Sequence, residues 1–187
     1  MKFNKNINID GKSISKGAPT FVIAEAGVNH GGDMEVAKKL IDLAVEAEAD
    51  AVKFQTFKAE HLILSDIQKA PYQKNSTNAK ETQFDMLKRL EVSREQNLEL
   101  KQYCIDKDII FLTTPFDEES LEEIDDLDLP AYKVASTDTT NLPFLKKIAK
   151  KGKPIFLSTG MSYLSEVRSA LETIYEYNKD VVLLQCT

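Results

Sequence analysis

The chain has 187 residues, of which 42% are hydrophobic and 29% are charged, a composition typical of a globular domain with its own core. Its formal net charge is −6 and it has no basic run, so we expect no nucleic-acid partner. No apolar run approaches the roughly 18 residues of a membrane span, and the N-terminus lacks a signal-peptide core, so we expect a cytoplasmic protein without a membrane partner. Cys104 and Cys186 have apolar surroundings and are expected to be buried free thiols.

The chain begins with a polar segment of 19 residues, in which Asp10-Gly11 separates two short alternating stretches. This pattern predicts a β-hairpin. We therefore divide the chain into an N-terminal hairpin, residues 1–19, and a catalytic domain, residues 20–187. The stretch 20–27 predicts a strand, and apolar residues at helical spacing after Asp33 predict a helix with that aspartate at its N-cap.

Residues 51–57 predict the next strand, and the polar stretch 58–92 that follows is a long loop with one or two helical turns. Strands and helices then alternate to the end of the chain. Ser93 and Gln96 form a capping-box pattern at the start of the first of these helices. The remaining strands are predicted at 108–116, 131–137, 154–160 and 180–187.

Strands that are apolar on both faces and alternate with amphipathic helices predict a parallel sheet covered by helices. An open doubly wound sheet and a (β/α)8 barrel both have this order. Each predicted strand turns polar towards its C-terminal end, as barrel strands do where they supply an active site, whereas an open sheet gathers its ligand groups at one switch point. We therefore predict an α/β fold, a TIM-type barrel truncated to about six β/α units after the N-terminal hairpin.

Two lysines lie inside apolar strands, Lys53 in the second strand and Lys133 in the fourth. Lysine is rarely buried unpaired, and two ammonium groups in one barrel interior would repel each other unless an anion lay between them. Hydroxyl groups are expected around that anion from Thr114, Ser136 and Ser158. The turn 158–160 is expected to add backbone N–H donors. The alternative is a desolvated lysine that forms a Schiff base with a carbonyl substrate.

Five motifs, IAEAGVNHGGD, VKFQTF, FLTTPFD, AYKVASTD and LLQCT, together resemble those of the sialic acid synthase family. That family includes the N-acetylneuraminate, legionaminate and pseudaminate synthases. The resemblance implies a (β/α)8 barrel followed by a small antifreeze-like domain, and a homodimer in the full-length form. The implied reaction condenses phosphoenolpyruvate with a 2-acetamido-mannose-type sugar to give a nine-carbon 2-keto acid and phosphate.

The same resemblance implies roles for individual residues. The phosphoenolpyruvate-binding residues would be Lys53, Thr114, Lys133, Ser136 and Ser158. The catalytic residues at the reacting centre would be Glu25 and Lys53. The sugar-binding residues would be Gln55, Asn78 and Asp138. A divalent metal, Mn²⁺ or Mg²⁺, would polarise the aldehyde. Its ligands are expected beyond residue 187, and none is assigned within the chain.

The sequence departs from the family pattern at two points. Thr137-Asp138 stands where N-acetylneuraminate synthases usually have Gly-Glu, which favours the legionaminate branch and 2,4-diacetamido-2,4,6-trideoxymannose as the sugar. N-acetylmannosamine is the alternative sugar. The six predicted strands are also fewer than the eight of a barrel, so we expect a fragment or a truncated gene product that is inactive alone. A Schiff-base aldolase and a non-catalytic anion-binding fragment are the alternatives to a synthase.

Overall fold

The computed structural model describes residues 1–64 and 82–186. Its strands are β1 Asn6–Ile9, β2 Lys12–Ser15, β3 Ile23–Gly27, β4 Ala51–Thr56, β5 Ile110–Pro115, β6 Tyr132–Val134, β7 Ile155–Ser158 and β8 Val181–Leu184. Its α-helices are α1 Met34–Glu46, α2 Ala59–Leu62, α3 Gln83–Leu90, α4 Arg94–Asp106, α5 Glu118–Asp125, α6 Leu142–Lys150 and α7 Leu164–Tyr175. From β3 onwards each strand is followed by at least one helix until the chain reaches β8.

The six strands from β3 to β8 run parallel in chain order, as predicted. Hydrogen-bonded ladders join β3, β4 and β5 into one sheet and β6, β7 and β8 into another. β5 and β6 lie side by side and bring the two sheets together. Within the described ranges no ladder joins β3 to β8, so the sheet is not closed. This arrangement confirms the truncated α/β barrel architecture.

The two faces of this sheet contact different layers. Val52 and Phe54 on β4 belong to the core cluster formed with the helices. Ala51, on the opposite face, belongs to a second cluster with Leu112 and Phe156, which lie on the inner face. Because side chains alternate along a strand, Lys53 and Gln55 point inward with Ala51.

The N-terminal hairpin closes one end of the sheet. β1 and β2 pair antiparallel around Asp10 and Gly11, which both have positive φ, 48° and 83°. Ile7 and Ile9 are buried in the inner core cluster with Ala51 at the start of β4. The hairpin therefore covers the N-terminal ends of the strands and leaves the C-terminal ends free for ligands.

The predicted helix starts are confirmed. The Asp33 carboxylate accepts hydrogen bonds from the backbone N–H groups of Glu35 and Val36 at the start of α1. Ser93 and Gln96 form a complete capping box at the start of α4. These side chains satisfy backbone donors that have no partner within their helix, which explains why such local signals predict a helix start well.

One predicted strand is too long. The prediction of a strand over 131–137 is wrong after Val134, because Ser136–Asp138 form a 3₁₀ turn. Short polar side chains compete with sheet pairing by bonding locally, and here the Thr137 hydroxyl donates to Asp138 at 3.5 Å. In the part of the chain that the structure describes, no helix is long and apolar enough to span a membrane.

Candidate active site

The inward lysine of β4 is paired with a carboxylate. The parallel register places Glu25 of β3 directly opposite Lys53, and the two side chains form an ion pair. Lys53 Nζ also donates to Thr114 Oγ1 on β5 at 3.5 Å. Lys53 is only 8% exposed, whereas half of the Glu25 side chain is accessible. Glu25 can therefore leave the lysine for solvent or ligand without moving the strands.

Gly27 lies next to the side chains of both Glu25 and Gln55. A Cβ atom at Gly27 would lie 3.0 Å from Glu25 Oε1 and 3.5 Å from Gln55 Nε2. The residue also has a φ of +55°, which favours glycine over other residues. The glycine thus lets the carboxylate approach the amide of Gln55, a predicted sugar contact on β4, at the C-terminal end of β3.

Lys133 differs from Lys53 in its surroundings. It is 7% exposed, and Nζ donates to the backbone carbonyl of Val134 at 2.7 Å. Within the described residues it forms no ion pair with a carboxylate. Burial, reinforced by the charge of Lys53, lowers the pKa of Lys133 to about 8, although Glu25 and Cys186 act in the opposite direction. The amine therefore lacks the counter-charge that a bound anion would supply.

The thiol of Cys186 lies near this lysine and accepts a hydrogen bond from the Gly160 N–H. Burial alone would raise the pKa of Cys186, but hydrogen bonds from the Gly160 N–H, at 3.0 Å, and from the hydroxyls of Ser158 and Ser136 lower it. The prediction that Cys186 is buried is wrong, because its side chain is partly accessible at the end of the sheet. Cys104 is buried, as predicted, and burial raises its pKa.

The expected backbone donors of the turn 158–160 are already in use, so that prediction is wrong. The Thr159 N–H donates to the carbonyl of Leu184 at 3.1 Å, and the Gly160 N–H donates to the Cys186 thiol. Helix α7 begins only at Leu164, so its N-terminus is not adjacent to Ser158. The donors available to an anion are therefore side chains.

Asp138, a predicted sugar contact, bonds to its own neighbours in the chain. Asp138 is buried at the end of the 3₁₀ turn, where it accepts hydrogen bonds from Thr137 and from Asn141 at 3.4 Å. Burial raises its pKa, and the nearby charge of Asp117 adds to the effect. Asn78 lies outside the described residues. The sugar-binding roles of both residues stay predictions.

A divalent metal was expected from the resemblance. In residues 1–64 and 82–186, no three His, Cys, Asp or Glu side chains come together as a possible metal site.

The assembled site combines two cations and one carboxylate with hydroxyl groups at the C-terminal ends of neighbouring strands. Sequence reasoning identified the lysines, Glu25 and the hydroxyls, but it missed Cys186 as a member of the site. The available signal was that Cys186 lies near the C-terminal end of the last predicted strand. Each of the strands β3 to β7 contributes a polar side chain at or near its own C-terminal end.

The chain is similar to two curated synthases. The chain is 46% identical over 171 residues to N,N'-diacetyllegionaminic acid synthase of Campylobacter jejuni, covering 90% of this chain and 51% of that protein. It is 37% identical to human N-acetylneuraminate-9-phosphate synthase over 169 residues, 90% of this chain and 47% of that protein. The chain thus spans about half the length of these curated relatives.

Two solved structures have a fold similar to that of this chain. The N-acetylneuraminic acid synthetase of Leptospira borgpetersenii, determined with citrate, superimposes with a TM-score of 0.86 at 30% identity, covering 100% of this chain and 60% of that one. A phospho-2-dehydro-3-deoxyheptonate aldolase from Thermotoga maritima gives a TM-score of 0.70 at 15% identity, covering 97% of this chain and 46% of that one, which shows a shared fold alone. Residues 40–187 match the NeuB family, and the chain belongs to that family.

Proposed function

We propose that this chain supplies the phosphoenolpyruvate-binding part of a synthase that condenses phosphoenolpyruvate with a 2-acetamido-mannose-type sugar. The reaction would join phosphoenolpyruvate to the aldehyde carbon, consume water, and give a nine-carbon 2-keto acid and phosphate. The observation that supports this proposal most strongly is the pair of buried lysines, since Lys133 has no carboxylate partner in the described part of the chain. A buried cation of this kind favours binding of an anion.

The charges in the site fit a ligand with two anionic groups. Lys53 and Lys133 carry two positive charges at neutral pH, and Glu25 neutralises only one of them. The phosphate and carboxylate of phosphoenolpyruvate would give each ammonium group an anionic partner. Charge-assisted hydrogen bonds to the nearby hydroxyls would fix the orientation. Glu25, displaced from Lys53, would remain beside Gln55 at the reacting centre, where it can hold or accept a proton.

For the second substrate we propose 2,4-diacetamido-2,4,6-trideoxymannose. The higher identity to a legionaminic acid synthase than to an N-acetylneuraminate-9-phosphate synthase supports this choice, as does Thr137-Asp138 in place of Gly-Glu. N-acetylmannosamine would then be a poor substrate.

We also propose that the full-length enzyme depends on Mn²⁺ or Mg²⁺, with the metal ligands beyond residue 187, and that it is a homodimer. A cytoplasmic location is proposed as well, and the free thiols of Cys104 and Cys186 support it.

Calorimetry of the 187-residue chain with phosphoenolpyruvate tests the anion site without requiring turnover. We expect the wild type to bind, and Lys53→Met and Lys133→Met each to weaken binding at least about tenfold. Lys147→Met is the matched control, because Lys147 of α6 forms an exposed ion pair with Glu118 of α5. Absence of binding by the wild type, or equal effects of all three variants, would contradict the proposal.

The lowered pKa of Lys133 supports one second candidate, a Schiff-base aldolase. A neutral Lys133 amine would add to a substrate carbonyl, lose water and form an imine. Borohydride would reduce that imine to a stable secondary amine and leave a permanent mass increase on the lysine. The test is mass spectrometry after treatment with pyruvate and borohydride. Label at Lys133, absent from Lys133→Met, would establish the aldolase, whereas an unlabelled chain excludes it in favour of the synthase.

A further inference from the structure

One buried threonine joins the two serines of the anion site. Thr139 is fully buried just after the 3₁₀ turn Ser136–Asp138. Its backbone N–H donates to the carbonyl of Ser136 at 3.2 Å, and its hydroxyl donates to the carbonyl of Ser158 at 2.7 Å. A single residue therefore links the turn after β6 to the last residue of β7.

The hydroxyl of Thr139 fills a gap that the strand ends create. The ladder between β6 and β7 ends with the pair Val134 and Leu157, whereas β7 continues for one more pair, Ser158 with Leu184 of β8. On its β6 side the carbonyl of Ser158 has no strand to pair with, because the chain has already turned away. The Thr139 side chain supplies the hydrogen bond that a neighbouring strand would have made, so this buried carbonyl is satisfied.

This link joins the two elements that carry the serine side chains. The hydroxyls of Ser136 and Ser158 come from different elements, yet hydrogen bonds from both lower the pKa of the Cys186 thiol. Their convergence requires the turn and the end of β7 to be held together. Without the hydroxyl of Thr139, the turn would keep its own backbone bond to Ser136 but would lose its attachment to β7.

We propose that Thr139 is a positioning residue of the anion site, whose hydroxyl holds the Ser136 turn against the end of β7 so that both serines face one ligand. The inference rests on the proposed function only for the identity of that ligand, phosphoenolpyruvate. Thr139 itself does not touch the ligand. Its effect is on the placement of two hydroxyl donors.

The experiment compares Thr139→Val, which keeps the shape and removes the hydroxyl, with Thr139→Ser, which restores it. Asn178→Ala is the matched control. Asn178 is also buried, and its amide donates to the carbonyl of Lys153 at 2.7 Å, next to the opposite, N-terminal end of β7. Its loss should lower stability in a similar way without reaching the anion site.

Two readouts are measured on each variant, together with its thermal midpoint. The first is the Kd of phosphoenolpyruvate by calorimetry, which we expect to rise about tenfold in Thr139→Val and to return to within about threefold of wild type in Thr139→Ser. The second is the pH midpoint for alkylation of Cys186 by iodoacetamide, which reports the convergence of the two hydroxyls in the absence of ligand. That midpoint should shift upward in Thr139→Val alone.

The two readouts separate failure of this inference from failure of the proposed function. If the wild type does not bind phosphoenolpyruvate, the proposed function fails. The pH midpoint for alkylation of Cys186 (the thiol midpoint) still decides the role of Thr139 in that case. If Thr139→Val leaves the thiol midpoint at the wild-type value, the positioning role is wrong. It is also wrong if Asn178→Ala, at an equal loss of thermal stability, changes the affinity or the thiol midpoint as much as Thr139→Val does.

Discussion

Replacing Lys133 by methionine should stabilise the chain while it weakens binding of the anion. The pKa of this buried lysine is lowered from its ordinary value of 10.5 to about 8. A lowered pKa means that the folded chain holds the ammonium group at a cost in free energy. Since each pKa unit corresponds to about 1.4 kcal/mol, the cost at pH 7 is about 3 kcal/mol. Methionine has a similar length and no charge, so Lys133→Met should recover much of it.

The pH dependence has a defined sign. Below pH 8, Lys133 is charged in both the folded and the unfolded chain, so the full cost is present. Between pH 8 and 10.5 the folded chain releases its proton first, and the cost disappears as the pH rises. The stability advantage of Lys133→Met over the wild type should therefore be largest at pH 7 and should narrow towards pH 10.5.

Urea unfolding at pH 7 and pH 10 measures this advantage directly from the change in free energy of unfolding. Lys147→Met serves as the control, because loss of an exposed ion pair changes stability by only about 0.5 kcal/mol or less. The reasoning is refuted if Lys133→Met is less stable than the wild type at pH 7. It is equally refuted if the difference between the two is the same at both pH values.

Three further changes test other parts of the site. Gly27→Ala should lower the free energy of unfolding by about 1–3 kcal/mol, because φ is +55° and the new Cβ meets Glu25; an unchanged urea midpoint would contradict this. Asp138→Asn should raise the urea midpoint at pH 7 but not at pH 3. Burial raises the pKa of Asp138, so its charge lowers the stability of the folded chain only above that pKa. Equal changes of the urea midpoint at both pH values would contradict this. Glu25→Gln should tighten phosphoenolpyruvate binding by about tenfold, because it removes a negative charge that competes for Lys53; weaker binding in calorimetry would show that Glu25 does not compete with the ligand.

The order of strands and helices could be predicted because its signals are local. Helix starts at Asp33 and Ser93 depend on side chains that bond to backbone groups two or three residues away. The end of β6 could not be predicted in the same way. Tyr132–Val134 are all buried, whereas within Ser136–Asp138 only Asp138 is. The chain leaves the sheet because the polar groups of this turn bond locally.

For the site, the sequence predicted which side chains of a strand point inward, because side chains alternate along a strand. Alternation placed Lys53 and Gln55 on the inner face, since Ala51 and Val52 fix which face is which. It gave no information about the register between strands. The pairing of Lys53 with Glu25 depends on that register, because these residues are 28 positions apart in the chain and meet only when β3 and β4 align.

The difference between the two lysines follows from that register and gives them different roles. Lys53 has an internal carboxylate that it can exchange for a ligand, so its charge is compensated with or without the anion. Within the described residues, Lys133 has no ion pair of its own, and the opposing influence of Glu25 and Cys186 does not offset burial and repulsion from Lys53, so a bound anion would supply the missing counter-charge. Binding should therefore raise the pKa of Lys133 and draw a proton from solution near pH 8. A residue whose charge lowers the stability of the free chain would then be one that gains a partner from the ligand, as is common where a buried charge serves function rather than folding.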